Sequence, residues 1–331
     1  MERFALAAAV VLGFALTAAL CSLFVPLRRV LERREQQQQP VQSEQPRPAP
    51  LRAPLWGGLC AAAGTVAAVG VGWLAACVGQ PELLGSEGRL MTRLLTALAG
   101  SLAFGAVGFA EDLARMRSPA ALGLRRDVRL LLEALAAAFV LLLLQAAGCL
   151  PRGLDVPGAG YVLLGSAVPF LWAVLMVALA ECARVAERDE GAVCGAAFVA
   201  MLALMMVEAG LGVSGLAVLP AALAGALVAL LLWAFPPARL GAGCCGSLLA
   251  AGAIGCIPLS LDMTSLTVPL ALPFWAAGGL LAAQLLCAKR TGKPLRCWVK
   301  KHKMSPETVF LCSFALSAVG YVLALALLRW C

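Results

Sequence analysis

Long apolar runs recur from one end of the chain to the other, separated by short segments rich in charged, glycine or proline residues. Each run is long enough to cross a bilayer as a helix, which takes about 20 residues. The pattern predicts an all-α polytopic membrane protein, a single integral membrane domain over 1–331 with ten transmembrane helices. The predicted spans lie near 4–25, 56–78, 91–110, 128–149, 160–183, 191–209, 214–235, 245–261, 268–288 and 307–329.

Composition supports this class. Of the 331 residues, 62% are apolar and 13% are charged, whereas about a quarter of the residues of a soluble domain are charged. A single water-facing domain is therefore excluded, and the lipid bilayer is the expected environment. The formal charge of +8 does not argue for nucleic acid, because basic residues gather at cytoplasmic loops in membrane proteins. Most of the thirteen cysteines sit in apolar runs, as packing residues do.

The distribution of basic residues predicts the orientation. The segments after the odd-numbered spans hold 21 of the 26 Lys and Arg residues, so the positive-inside rule places these segments in the cytoplasm and both termini outside. Segment 27–52, with its Gln run and its prolines, is predicted to be a flexible cytoplasmic connector. Segment 289–305 is predicted to be a basic cytoplasmic loop that the anionic leaflet attracts.

Acidic and basic side chains gather at the predicted inner boundary. The acids are Glu111, Asp112, Glu187, Asp189 and Glu190, and the interleaved arginines are Arg115, Arg129, Arg184 and Arg188. Carboxylates hold hard cations such as Mg²⁺, and guanidinium groups pair with phosphate oxygens. One interpretation is a single inner-leaflet cleft that grips a pyrophosphate. The other is a set of solvated loop charges that fixes topology.

A glycine-bearing turn opens the eighth predicted span. Gly243, Gly246 and Ser247 follow the segment Pro236–Arg239. The first turn of a helix presents free backbone N–H groups that can receive an anion. These three residues are therefore candidate phosphate-binding residues, and a simple tight turn at a helix start is the alternative.

Five segments resemble motifs of one enzyme family, and these motifs follow one another along the chain in the same order as in the family. Gly108–Arg115 is similar to G-F-x-D-D-x-x-K, and Gly123–Leu130 to G-L-S-A-R-Q-K-L. The others are Ala53–Gly58 (T-P-T-M-G-G), Phe235–Ser247 (N-P-P-A-K-V-F-M-G-D-T-G-S) and Thr291–Lys293, which resembles the loop before a triple histidine. Together they resemble the bacterial phospho-N-acetylmuramoyl-pentapeptide transferases (MraY) and their WecA-type relatives, of glycosyltransferase family 4.

The resemblance implies a ten-span enzyme of the bacterial cytoplasmic membrane with a cytoplasmic active site. Such enzymes transfer a sugar phosphate from a UDP-N-acetylamino sugar to undecaprenyl phosphate, releasing UMP, in peptidoglycan or envelope glycan synthesis. By this resemblance, Glu111 or Asp112 orients or deprotonates the lipid phosphate, and Glu187 and Glu190 bind Mg²⁺. The residues expected to contact phosphate or substrate are Arg115, Arg129, Arg184, Arg188, Gly243, Gly246, Ser247 and His302. A homodimer is also expected from the resemblance.

The departures from the family pattern fall on residues that carry chemistry. The family's N-x-x-N-x-x-D-G-L-D-G-L corresponds to Glu181–Ala192, where both asparagines are lost and both aspartates are glutamates. A magnesium-binding aspartate of the family is Cys244 here, and a thiol suits a hard cation badly. Of three histidines one remains, His302. If the chain is active it needs Mg²⁺, and these changes favour impaired or lost catalysis.

Two further functions stay open from the sequence. One is a non-catalytic member of the same fold, which binds lipid or assists assembly in the envelope. The other is a solute transporter, for which the acidic residues within predicted spans are the candidates. These residues are Glu133, Glu181 and Glu208.

Overall fold

The described part of the chain is a bundle of helices with one short hairpin. A computed structural model describes residues 2–38, 56–79, 88–117, 123–156, 160–163, 165, 167–187, 191–213, 215–235, 239–291 and 306–328. The helices are α1 (Glu2–Gln38), α2 (Gly57–Gly79), α3 (Gly88–Arg117), α4 (Arg126–Ala146), α5 (Ala167–Ala186), α6 (Ala192–Gly210), α7 (Val218–Ala234), α8 (Gly243–Ser260), α9 (Thr267–Leu270), α10 (Leu272–Thr291) and α11 (Pro306–Leu328). The strands are β1 (Gly153–Val156) and β2 (Gly160–Leu163), and a 3₁₀ turn covers Thr264–Leu266.

The helices confirm the predicted class of an all-α polytopic membrane protein. Seven of them, α1, α2, α3, α5, α6, α8 and α11, are long and apolar enough to cross a membrane. The segment Thr264–Leu270 and the first part of α10 meet at a bend of 63° and together would make an eighth span. Helix α7 is apolar but has 17 residues. Each of the ten predicted spans overlaps a helix, while the count of ten membrane crossings and the orientation stay predictions.

The predicted fifth span begins too early. Residues 160–163 form β2, which pairs antiparallel with β1, and the helix begins only at Ala167. Gly160 has a φ of +74°, which glycine adopts without steric cost. The strand residues after Gly160 are apolar enough to extend the hydrophobic run, so hydropathy alone merges them with the helix.

Two predicted loop segments begin as helix. Residues 27–38 of the predicted flexible connector continue α1, because their Leu, Arg, Glu and Gln residues are strong helix formers. The rest of that connector, 39–52, lies outside the described residues. The predicted basic loop 289–305 likewise starts within α10, which ends at Thr291, and its remainder is also outside them.

Helix α8 is the centre of the bundle. All of its residues are buried, and it packs against α2, α3, α5 and α6, most extensively against α3. Small side chains allow this close approach, as they do in membrane bundles generally. At Gly108 of α3, an added Cβ would collide with the carbonyl oxygen of Cys244. Glycine is therefore required where α3 crosses the start of α8.

Four helix ends lie together at one end of the bundle. Helices α3 and α5 finish there, while α4 and α8 begin there, and neighbouring members of this group pack against one another. This arrangement gathers side chains from four segments that are far apart in the sequence.

Candidate functional site

Asp112 binds the first turn of α8. Its Oδ1 accepts a hydrogen bond from the backbone N–H of Cys244 at 3.1 Å, and its Oδ2 accepts one from Cys245 at 2.9 Å. The carboxyl group is buried, with 1% of the residue exposed. The first N–H groups of a helix lack partners within the helix, and a negative charge is favourable there. The anion at this helix start is therefore a carboxylate of α3.

Arg115 lies among three carboxylates. Its Nη2 is 2.8 Å from Glu111 Oε1, and its Nη1 is 3.4 Å from Glu187 Oε2 and 3.8 Å from Asp112 Oδ1. The Arg115 side chain is 21% exposed, whereas the Glu111 and Asp112 side chains are 3% and 1% exposed. One cation thus joins two acids of its own helix to a third acid at the end of α5.

A second set of ion pairs continues from this group. Arg129, at the start of α4, has its Nε 2.8 Å from Glu181 Oε1 and its Nη1 3.6 Å from Glu111 Oε1. Glu181 also accepts a hydrogen bond at 2.6 Å from Arg184, one turn further along α5. Arg129 therefore links the Arg115 group to the Glu181–Arg184 pair, and the network spans α3, α4 and α5.

Glu133 is the most deeply buried acid of this region. It has no exposed surface, and neither carboxylate oxygen has a hydrogen-bond partner within the described part of the chain. Its nearest ion-pair partner there is Arg129, whose Nε lies 4.0 Å from Oε1. With Glu133 included, the network holds five carboxylates and three guanidinium groups.

The residues of the glycine-bearing turn at the start of α8 are in contact with other protein groups. The Cys244 thiol donates to Glu187 Oε2 at 3.4 Å, and the Ser247 hydroxyl donates to the carbonyl oxygen of Cys244 at 3.1 Å. Gly246 lies against the backbone of Gly58, at the start of α2, so the glycine pair of the 53–58 segment serves helix packing. Gly243 begins α8 with a φ of +66°. The candidates in this turn therefore contact protein groups.

The structure brings together most of the site residues that the sequence indicates. Glu111, Asp112 and Glu187 lie in one group. The arginines joined to it are Arg115, Arg129 and Arg184. The other three candidates, Arg188, Glu190 and His302, lie outside the described residues.

Two acids of this network were not among the predicted site residues. The sequence made Glu133 and Glu181 candidates for a transport path, yet both lie within ion-pair distance of Arg129. Their spacing carried a signal, because Arg129 and Glu133 are four residues apart and Glu181 and Arg184 are three apart. Charged residues at these spacings share one face of a helix. The third intramembrane acid, Glu208 on α6, is also buried, and its Oε2 lacks a described partner.

The described residues do not fit a magnesium ion. Among them, no group of three or more His, Cys, Asp or Glu side chains is arranged to hold a metal. Mg²⁺ requires near-ideal octahedral oxygen coordination. The Asp112 oxygens are bound by backbone N–H groups, Glu111 Oε1 and Glu187 Oε2 lie against guanidinium groups, and Cys244 offers sulfur, while Glu111 Oε2 has no partner among the described residues.

Comparison with known proteins gives one family. The model of glycosyl transferase family 4 matches residues 94–262, a range that contains the whole network. The chain is similar to several proteins named phospho-N-acetylmuramoyl-pentapeptide-transferase. The Desulforudis audaxviator protein is 34% identical over 170 residues, which cover 48% of this chain and half of that relative. The Mycobacterium tuberculosis protein is 27% identical over 72% of each chain, and the Geobacillus kaustophilus protein is 25% identical over 92% of this chain and 89% of its own.

Proposed function

From the premise that the chain belongs to glycosyl transferase family 4, we propose a relative of the phospho-N-acetylmuramoyl-pentapeptide transferases whose catalysis is impaired or lost. The proposed lipid ligand is undecaprenyl phosphate, in a bacterial cytoplasmic membrane with the site facing the cytoplasm. The sugar nucleotide of the family reaction is a UDP-N-acetylamino sugar. Without transfer to that lipid, the remaining role is to bind it or to assist envelope assembly.

The closed ion-pair network carries this proposal. At the positions that resemble the family's catalytic acids, Asp112 binds the start of α8, and Glu111 and Glu187 bind Arg115. Transfer needs groups that stabilise the charge that develops on the transferred phosphate. One of them is missing here, because Cys244 stands where the family motif has a magnesium-binding aspartate. Removing one such group from an active site lowers the rate by about a hundredfold or more. Any residual transfer is therefore expected to be at least about a hundred times slower than in an active relative.

UMP release tests the proposal. The purified chain in lipid nanodiscs is given undecaprenyl phosphate, Mg²⁺ and UDP-MurNAc-pentapeptide, or UDP-GlcNAc in a parallel reaction. The Geobacillus kaustophilus transferase serves as the active control, and a Glu187→Ala variant as the background. We expect UMP release to be absent or at least about a hundred times slower than that of the active control. Magnesium-dependent release at a rate close to that of the control, abolished by Glu187→Ala, would overturn the proposal.

Lipid binding and restoration give the complementary measurements. Undecaprenyl phosphate retained by the chain in native mass spectrometry, without UMP release, supports the lipid-binding role. Cys244→Asp together with Arg115→Lys returns two positions to the residue types of the family motif. UMP release that appears only in this double variant would identify these two positions as the ones that block catalysis.

Solute transport is the second candidate function. Its support is Glu208, a buried carboxylate on an apolar helix with an unpartnered oxygen in the described structure. Acids within membrane spans commonly mark transport paths. Solute uptake into vesicles that changes with Glu208→Gln would favour transport over the proposed lipid-binding role.

A further inference from the structure

We infer that Cys21 on α1 and Cys60 on α2 form a reversible disulfide bond, which makes this pair an oxidation site at the end of the bundle where α2 begins. Both are free thiols in the structure, and both are buried. The inference goes beyond the proposed function, because neither cysteine belongs to the ion-pair network. Lipid binding, catalysis and this bond can therefore each be tested without the others.

The register of α1 against α2 sets the two cysteines opposite each other. Three contacts between these segments define the register, and they are Ala9–Gly72, Thr17–Gly64 and Phe24–Trp56. Residue numbers rise along α1 as they fall along α2, so the two helices are antiparallel. Cys21 lies one turn after Thr17, and Cys60 lies one turn before its contact residue on α2. The two cysteines therefore share the layer between the second and the third contact.

The spacing of α1 and α2 in this register fits a disulfide bond. A Cβ added at Gly64 would lie 3.3 Å from the Cβ of Thr17, and one added at Gly72 would lie 3.0 Å from the Cβ of Ala9. Disulfide bonds need Cβ atoms about 3.5–4.5 Å apart, so these glycine layers bring the backbones into the required range. The two thiols themselves are within hydrogen-bonding reach of each other. The bond can therefore form without a rearrangement of the helices.

Burial determines which product oxidation gives. Cys21 and Cys60 are 0% and 2% exposed, so a bulky thiol such as glutathione does not reach either sulfur atom. A small, uncharged peroxide is the class of oxidant that fits such a place. After the first oxidation, the nearest group for the modified sulfur is the other thiol of the pair. The expected product is therefore the disulfide bond within one chain.

The reaction with hydrogen peroxide balances in two steps. One thiol, as the thiolate, attacks a peroxide oxygen, the O–O bond breaks, and a sulfenic acid forms with release of one water. The second thiol then attacks this sulfur, the S–O bond breaks, and the S–S bond forms with release of a second water. Two thiols are oxidised, one peroxide is reduced by two electrons, and the thiol protons leave in the two waters.

Cleavage of the chain between the two helices tests the bond. Cys21 is the only cysteine before residue 60, so a protease recognition sequence inserted within 39–52 gives an N-terminal fragment with a single thiol. The full chain in nanodiscs is treated with hydrogen peroxide, free thiols are blocked with N-ethylmaleimide, and the cleaved protein is run on a denaturing gel without reductant. We expect the fragment to stay attached to the rest of the chain, and dithiothreitol to release it.

Substitutions identify the partner of Cys21. After oxidation, Cys60→Ala should release the fragment, whereas Cys194→Ala, which removes a buried thiol of the same hydrophobic cluster, should keep it attached. If Cys60→Ala does not fold, Cys60→Ser replaces it. The inference would be overturned by a fragment that separates from the oxidised wild-type chain. It would equally be overturned by a fragment that stays attached when Cys60 is replaced, or that is joined to a second N-terminal fragment.

Thermal unfolding of the uncleaved chain gives an independent measurement. The bond closes a loop of about 40 residues and so constrains the unfolded chain. Oxidation should raise the Tm of the wild-type chain by about 4 °C or more, and dithiothreitol should reverse this rise. The Tm of Cys60→Ala should not respond to oxidation. A rise of equal size in that variant would contradict the inference.

Discussion

Replacing Asp112 is expected to destabilise the fold through α8. Asp112→Ala removes the acceptor of two backbone N–H groups, those of Cys244 and Cys245, at a residue that is 1% exposed. Hydrogen bonds to charged groups contribute about 1.5–3 kcal/mol each, so the loss is about 3–6 kcal/mol. Asp112→Asn keeps one acceptor oxygen and should lose about half of that.

The free energy of unfolding in mixed micelles, followed by tryptophan fluorescence, measures this loss. Asp127→Ala is the control, since Asp127 is an exposed acid in the first turn of α4, and should change stability by less than about 1 kcal/mol. A residue kept only for chemistry often costs stability, so its removal leaves the protein unchanged or more stable. An Asp112→Ala variant as stable as the wild-type chain would therefore refute the capping role.

Two stability predictions concern positions away from this contact. Gly108→Ala should lower the free energy of unfolding by about 1–3 kcal/mol, because the new Cβ collides with the Cys244 carbonyl oxygen. The control is Gly70→Ala, since Gly70 faces open space. This control should leave the free energy of unfolding unchanged or raise it by up to about 1 kcal/mol. Equal losses at both glycines would contradict the packing argument. Glu208→Leu should raise stability by about 1–3 kcal/mol, since it removes a buried polar atom without a described partner. A loss of stability in the same unfolding assay would contradict this prediction.

The class of fold could be predicted from the sequence because membrane helices need long apolar segments whatever their neighbours. The place of each helix in the bundle could not. Lipid and protein neighbours are both apolar, so the composition of α8 does not reveal that it touches only protein. The β1–β2 hairpin was missed for a related reason, since its second strand is as apolar as the helix after it.

The candidate site could be predicted in part. Glu111, Asp112 and Arg115 share one helix, and their spacing was sufficient to group them. The contacts that give the site its character join distant segments. Arg129 meets Glu181 across 52 residues of sequence, and Asp112 meets Cys244 across 132. One sequence contains no information about such pairs beyond the types of residue involved.

The complete burial of α8 also determines how the chain tolerates variation. Most helices in a membrane protein have a lipid-facing side, where side chains can be exchanged freely, so tolerated substitutions recur about every 3.6 residues. Helix α8 has no such side, because all of its residues are enclosed by other helices. A saturation scan should therefore show a periodic profile along α2 or α11 and a uniformly intolerant one along α8.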